Sequence, residues 1–325
     1  MCGGRPTPYN VNMSLADAGP TGDPHRRKAA TVVSDTRRTD AEPTPKAASA
    51  GRTDRDIFRL APTMDATVLD AIAARLEFRA TDDGYVALSQ AYLGRLPLSD
   101  THRILALGCG TGVEVRALRR LAGPGTAIVG LDHSPALIET ARRRTADEGL
   151  SDNVTYEIGD AHQLAYGAGA FDVVTLHTLA SHADDPLRLL REAGRVVRPG
   201  GTVAIFDGDY ASLTFGCPDP TLARTVEDKL MQLLVANPRV MRDMPRLLGQ
   251  AGLRLVEADG VVYANIGASR FWLSAAESYG ELLERSGLLP PEDVQRWRAF
   301  QTRSDQDGSF FAASNYYTYL AQGPT

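Results

Sequence analysis

The sequence predicts an α/β fold: a doubly wound, mostly parallel sheet with a helical lid or insertion and an antiparallel C-terminal edge strand. Three observations predict it. Short apolar runs alternate with helical patterns from residue 103 onward, as in a sheet covered on both faces. A bend with three alternating glycines, Ile104-Leu-Ala-Leu-Gly-Cys-Gly-Thr-Gly112, follows the first run without a spacer. The closing run Phe310–Ala321 is dense in strand-favouring aromatics after a stretch of helices.

Taken in order, residues 1–55 are rich in Pro, Thr, Gly, Ala, Arg and Asp and lack apolar clusters. Such a segment buries too little apolar surface to offset its ordering entropy, and a disordered tail is expected. Residues 56–102 read as an N-terminal helical lid. Val68, Leu69, Ile72 and Leu76 repeat at helical spacing, and a second helix follows Asp82-Asp83-Gly84 through Leu88 and Tyr92 to Leu96.

The expected core is 103–210. Its strands are Ile104–Leu107, Ala127–Asp132, Val154–Ile158, Phe171–Leu176 and Val203–Phe206, with helices near Val113–Leu121, Pro135–Glu148 and Pro186–Val197. Ser134 before Pro135 and Asp185 before Pro186 place a capping oxygen ahead of a proline at the first helical position. Arg198-Pro-Gly-Gly201 marks a stop and a turn. Residues 211–325 are expected to complete the same domain. Helices lie within Thr221–Leu253 and are broken at Asp243-Met-Pro245. A strand follows near Leu253–Ala258, then helices near 270–285 and 291–303, and the terminal strand.

Bulk composition excludes several classes. The 43% hydrophobic and 23% charged content is that of an ordinary globular protein. A formal charge of −5 gives no electrostatic basis for binding nucleic acid or an anionic membrane. No apolar run reaches the ~20 residues needed to span a bilayer. Cys2, Cys109 and Cys217 are too dispersed for a disulfide framework or a zinc site. A cytoplasmic protein without metal or membrane insertion is expected. Self-association into a homodimer stays open.

The glycine bend defines the ligand. Ligands of open α/β sheets bind beyond the carboxyl ends of the strands. A dinucleotide fingerprint needs G-x-G-x-x-G, but Val113 stands where its third glycine belongs, and no Gly-Lys-Ser/Thr makes a phosphate loop. This spacing disfavours a nicotinamide oxidoreductase. Asp132 closes the second strand, where a carboxylate can accept from both hydroxyls of a ribose. Gly159-Asp160-Ala161 closes the third, where a carboxylate and an amide can read an adenine edge.

With these three signals in order, ILALGCGTG, GLDHSPALIETAR, GDAHQL and REAGRVVRPGG together resemble the class I S-adenosylmethionine-dependent methyltransferases over 103–210. The resemblance is to their small-molecule branch, quinone-biosynthesis-like and bacterial tailoring enzymes. It implies a Rossmann-like core with S-adenosyl-L-methionine as cofactor. By resemblance, Gly108, Cys109, Gly110 and Gly112 hold the methionine portion. Asp132 takes the ribose diol and His133 lies along the adenine. Asp160 and Ala161 read the adenine edge, and His177 sits beside the sulfonium. One departure is Ala106, which stands in a part of the motif where the family often carries an acid.

The implied activity is methyl transfer to an O, N or C atom of a small organic acceptor, in specialised metabolism or quinone-like biosynthesis. The alternative is a non-methylating cyclase or rearrangement enzyme on the same scaffold. Candidates for a base or an orienting group are His177, His182 and Asp209. Histidine suits proton removal near neutrality, whereas Asp209 also fits turn chemistry in Asp-Gly-Asp-Tyr. The N-terminal helices and those carrying Phe271-Trp272 and Trp297 are expected to wall a hydrophobic acceptor site.

Overall fold

A computed structural model describes residues 66–98, 103–268 and 270–323. The expected tail at 1–55 lies outside the described residues. Two helices come first, α1 (Ala66–Arg79) and α2 (Asp83–Leu93). The core follows as β1 (Arg103–Leu107), α3 (Val113–Leu121), β2 (Ala127–Asp132), α4 (Pro135–Asp147), β3 (Val154–Ile158), β4 (Phe171–His177), α5 (Pro186–Val196) and β5 (Val197–Phe215). The remainder is α6 (Pro220–Leu234), α7 (Val240–Gln250), β6 (Arg254–Ile266), α8 (Phe271–Ser286), α9 (Pro291–Asp307) and β7 (Phe311–Gln322).

The strands form one sheet in the order β3-β2-β1-β4-β5-β7-β6. Strands β1 to β5 pair in parallel, and β7 runs antiparallel to both its neighbours. The terminal strand is antiparallel as expected, but it inserts between β5 and β6, so that β6 forms the margin. Insertion lets Tyr319, Leu320 and Ala321 bury their side chains, which an exposed margin would not.

Side-chain alternation divides the core in two. Ile104, Ala106, Val173, Ala204 and Phe206 face one layer, with α2, α6, α8 and α9. Leu105, Leu107, Val174, Leu176 and Ile205 face the other, with α5 and α7. Residues two apart share a face, and this parity later decides which side chains reach the site.

Local chemistry explains the boundaries. The Ser134 hydroxyl caps α4 at the Leu137 amide (3.4 Å), and the Asp185 carboxylate caps α5 at the Arg188 amide (3.0 Å). Pro245 was expected to break a helix, yet it lies inside α7. A proline there leaves the Met241 carbonyl without its helical donor. The Tyr319 hydroxyl donates to that carbonyl at 2.7 Å and closes the gap from β7.

Helix α1 is tied to α3 by a buried cation. Arg116 on α3 is 4% exposed; it meets Glu77 of α1 at 2.8 Å and Glu148 at 2.9 Å, and donates to the Thr111 carbonyl at 2.7 Å. Ile72 of α1 packs on Leu137 of α4 beside this anchor. Glu77 and Glu148 keep access to solvent, so removing the Arg116 charge costs about 1–3 kcal/mol, less than breaking a fully buried pair. Arg116→Met is therefore expected to lower the thermal midpoint and to expose α1 to rapid tryptic cleavage at Arg75 and Arg79. Both are read by thermal denaturation and timed proteolysis.

Candidate active site

The carboxyl ends of β3, β2, β1 and β4 line up at one edge of the sheet, where the chain leaves the neighbouring strands β1 and β4 to opposite faces, into α3 and α5. A cleft of about 470 Å³ opens there. Gly108, Gly110 and Gly112 all adopt left-handed backbone, with φ of 65°, 52° and 79°. This answers why three glycines alternate. Each residue bends the chain in a region that side chains avoid, and a Cβ at Gly108 or Gly112 would strike Leu179 or Tyr156. The bend thereby lays bare backbone along the cleft wall, and Gly112 opens α3.

Asp132 is 5% exposed and braces that bend. One carboxylate oxygen accepts from the Gly110 amide at 2.8 Å; the other accepts from the Ser134 amide at 2.9 Å. His133 stands beside it at 3.3 Å, half exposed. Asp160 lies on the same cleft wall with Ala161. Its carboxylate accepts from the amide and ring of His162, at 2.8 and 3.0 Å. Partial burial raises the Asp160 carboxyl, but the His162 bonds outweigh it and hold the group below its usual range.

Of the expected site residues, Gly108, Cys109, Gly110, Asp132, His133, Asp160, Ala161, His177 and His182 all line this cleft, and Gly112 closes the bend beside it. Asp209 does not. It is fully buried and pairs with Arg242 of α7 at 2.8 Å. On β5 the even residues Phe206 and Gly208 face the layer that holds α2, so Asp209 points to the opposite layer, toward α7. The expectation for Asp209 is corrected to a structural ion pair. Trp297 is corrected likewise: it is fully buried, against Phe215.

His177 is also not a free base. Its Nε2 lies 3.0 Å from the Tyr85 hydroxyl and its Nδ1 lies 2.8 Å from the Tyr92 hydroxyl. Burial, with the Arg79 charge, drives its pKa down to about 3 and keeps the ring neutral. The next residue, Thr178, takes φ of 51°, a rare value for a β-branched residue. Its amide bonds the Phe206 carbonyl at 2.7 Å and its hydroxyl receives Arg79 at 3.3 Å, which hold this turn across the cleft floor.

A second cavity of about 510 Å³ lies against the first, walled by Tyr210, Leu213, Phe271, Trp272, Tyr279 and Tyr316. Arg79 lines both cavities. Residues 210–213 bulge out of the β5–β7 ladder, and this brings Tyr210 into the wall. Sequence reasoning missed Arg79, Tyr85 and Glu114, although Tyr85, Leu88 and Tyr92 share one helical face.

A model of the methyltransferase domain matches residues 105–205. The chain is 30% identical over 179 residues to the ubiquinone biosynthesis O-methyltransferase of Thiobacillus denitrificans, a match covering 52% of this chain and 71% of that one. It is 32% identical over 131 residues to 27-O-demethylrifamycin SV methyltransferase of Amycolatopsis mediterranei, spanning 40% of this chain and 47% of the relative. Among solved structures, the phosphoethanolamine N-methyltransferase 2 of Haemonchus contortus superposes with a TM-score of 0.53 at 17% identity, covering 86% of this chain and 62% of that one. That likeness is one of fold. The sheet order, the left-handed glycine bend and the relatives agree, and the chain belongs to the class I methyltransferases of the small-molecule type.

Proposed function

We propose that the protein transfers the methyl group of S-adenosyl-L-methionine to an oxygen of a small, largely apolar acceptor. The observation that carries this reading is the pair of adjoining cavities with Arg79 on their shared wall. The first cavity has the donor set an adenosyl amino acid requires. Bare backbone at Gly108 and Gly110 admits close approach, and Asp132 offers oxygen lone pairs to a diol. Asp160 and Ala161 present a carboxylate and an amide to a base edge. When bound, the cofactor supplies a methyl group already activated for displacement.

The chain's own residues orient the acceptor and exclude water. Phe271, Trp272 and Tyr316 suit a flat or polyene body. The Arg79 guanidinium favours an ionised oxygen at the junction, which suits oxygen as the methylated atom. The names of the quinone and rifamycin relatives support an O-methylated acceptor of this kind.

The test is transfer of label from methyl-labelled S-adenosylmethionine to phenolic and enolic acceptors. Label in an ether oxygen is the expected result. An acceptor converted without taking up label would assign the scaffold to the non-methylating alternative.

A further inference from the structure

On the reading that an acceptor hydroxyl is methylated, we propose that Tyr85 takes the acceptor's proton and that His177 and Tyr92 pass it to the carboxylate of Glu114. Four side chains from α2, β4 and α3 form one continuous line. The Tyr92 hydroxyl donates to Glu114 Oε1 at 2.6 Å. It lies 2.8 Å from His177 Nδ1, and His177 Nε2 lies 3.0 Å from the Tyr85 hydroxyl. Arg79 donates to the same Tyr85 oxygen.

The two ends fix the direction of every bond between them. A guanidinium only donates and an ionised carboxylate only accepts. Tyr92 spends its single proton on Glu114, so toward Nδ1 it accepts, and Nδ1 carries the ring proton. Nε2 is then a bare lone pair and takes the Tyr85 proton. Tyr85 is left with oxygen lone pairs alone, one held by Arg79 and one available to an acceptor O–H. Tyr85 lines the cofactor cleft, while its ring stacks on Phe271 and meets the edge of Tyr316, both walls of the second cavity. Its hydroxyl thus stands where the two ligands would meet.

The transfer balances as four proton shifts. The acceptor O–H bond breaks as a proton joins the Tyr85 oxygen. The Tyr85 proton moves to Nε2, the Nδ1 proton moves to the Tyr92 oxygen, and the Tyr92 proton moves to Glu114. The acceptor is left as an oxyanion beside Arg79 and Glu114 as a neutral acid. Neither the ring nor the two phenols changes its net protonation. This matters because a charged His177 is strongly disfavoured in its buried place.

Glu114 is suited to hold the proton. It is 5% exposed and buried beside the Thr175 hydroxyl, and its second oxygen, Oε2, has no well-formed hydrogen bond. Burial raises its pKa to about 7, against the opposing pull of the Tyr92 and Thr175 hydroxyls. A half-satisfied buried carboxylate is costly for the fold, and protonation relieves that cost. The titratable groups around it are the Tyr92 hydroxyl, the Cys109 thiol and, further along the line, His177 and Tyr85. Burial pushes both the phenol and the thiol well above their usual range, so Glu114 is the group of this cluster that accepts a proton near neutrality.

The experiment uses the full chain saturated with S-adenosylhomocysteine and 3-nitrophenol as an optical probe. The solution is held above the Glu114 value of about 7 and below the ionisation of the free probe. Absorbance counts bound phenolate, and an indicator in weakly buffered solution counts released protons. The relay predicts phenolate with almost no proton released from the wild type. Glu114→Gln, and separately Tyr92→Phe with Glu114 intact, are expected either to release about one proton per phenolate or to leave the probe neutral. A wild type that releases about one proton per bound phenolate, or a wild-type probe that binds but stays neutral, overturns the relay and leaves the acceptor cavity standing. A probe that does not bind overturns the acceptor reading, and the relay with it.

Discussion

Asp132→Ala is expected to weaken S-adenosylhomocysteine binding by a hundredfold or more. The carboxylate acts twice. It holds the Gly110 and Ser134 amides at 2.8 and 2.9 Å, and in the proposed complex it takes the ribose diol. A hydrogen bond to a charged partner contributes about 1.5–3 kcal/mol, and a factor of ten in affinity is about 1.4 kcal/mol. Loss of the ribose contact alone accounts for about one to two decades, and loosening of the bend adds to it. Asp132→Asn keeps one acceptor and is expected to fall between. Isothermal titration measures both, and an unchanged affinity in the alanine variant would refute the ribose assignment. Thermal denaturation of the same variants separates the two roles, since only the bracing role lowers the midpoint without ligand.

Gly112→Ala is expected to be the most damaging single-methyl change in the bend. The residue stands at φ of 79°, which costs an alanine about 1–2 kcal/mol. Its new Cβ would also collide with the Tyr156 hydroxyl and press on Ala141 Cβ at 3.1 Å. Tyr156 has no room to yield, because its hydroxyl is held at 2.7 Å by buried Thr145. Overpacking of this kind adds about 1–3 kcal/mol, for a total of about 2–5. Gly149→Ala is the control: its φ of 67° is similar but nothing lies within 4 Å of its Cβ. The control should lose only the backbone share, about 1–2 kcal/mol. Equal losses in the two variants would show that the close approach to Tyr156 has no energetic weight.

Much of this architecture was legible in the sequence, for local reasons. Apolar runs marked β1, β2 and β4 within a residue or so, because parallel strands buried on both faces carry few polar interruptions. Strand β3, at the sheet margin with only Tyr156 buried, was marked by strand-favouring residues instead. The capping pairs Ser134-Pro135 and Asp185-Pro186 marked two helix starts for the same kind of reason. Elements set by pairing or packing were read less well. β5 runs to Phe215 rather than Phe206 because β7 supplies a partner beyond the expected end. Pro245 stays inside α7 because a hydroxyl from a distant strand replaces the missing donor.

The site divides along the same line. Gly108, Asp132 and Asp160 follow strands directly, so chain order reveals them. Asp209 lies past the expected strand end at Phe206, and only the longer β5 built on β7 gives it the parity that turns it away from the cleft. The line from Arg79 to Glu114 was not legible, since it exists only once α1 and α2 settle over β4 and α3. Tyr92 reads in sequence as an apolar helix position, and nothing local marks its hydroxyl as a link between a histidine and a carboxylate.

The central claim is that the tips of β1, β2 and β3 bind the adenosyl cofactor while the second cavity receives the acceptor. A crystal structure of the S-adenosylhomocysteine complex tests it most directly. The ribose hydroxyls are expected within hydrogen-bond distance of Asp132, the adenine beside Asp160 and Ala161, and the sulfur facing Arg79 and Tyr85. A ligand seated instead among Phe271, Trp272 and Tyr316, or making no contact with Asp132, would contradict it.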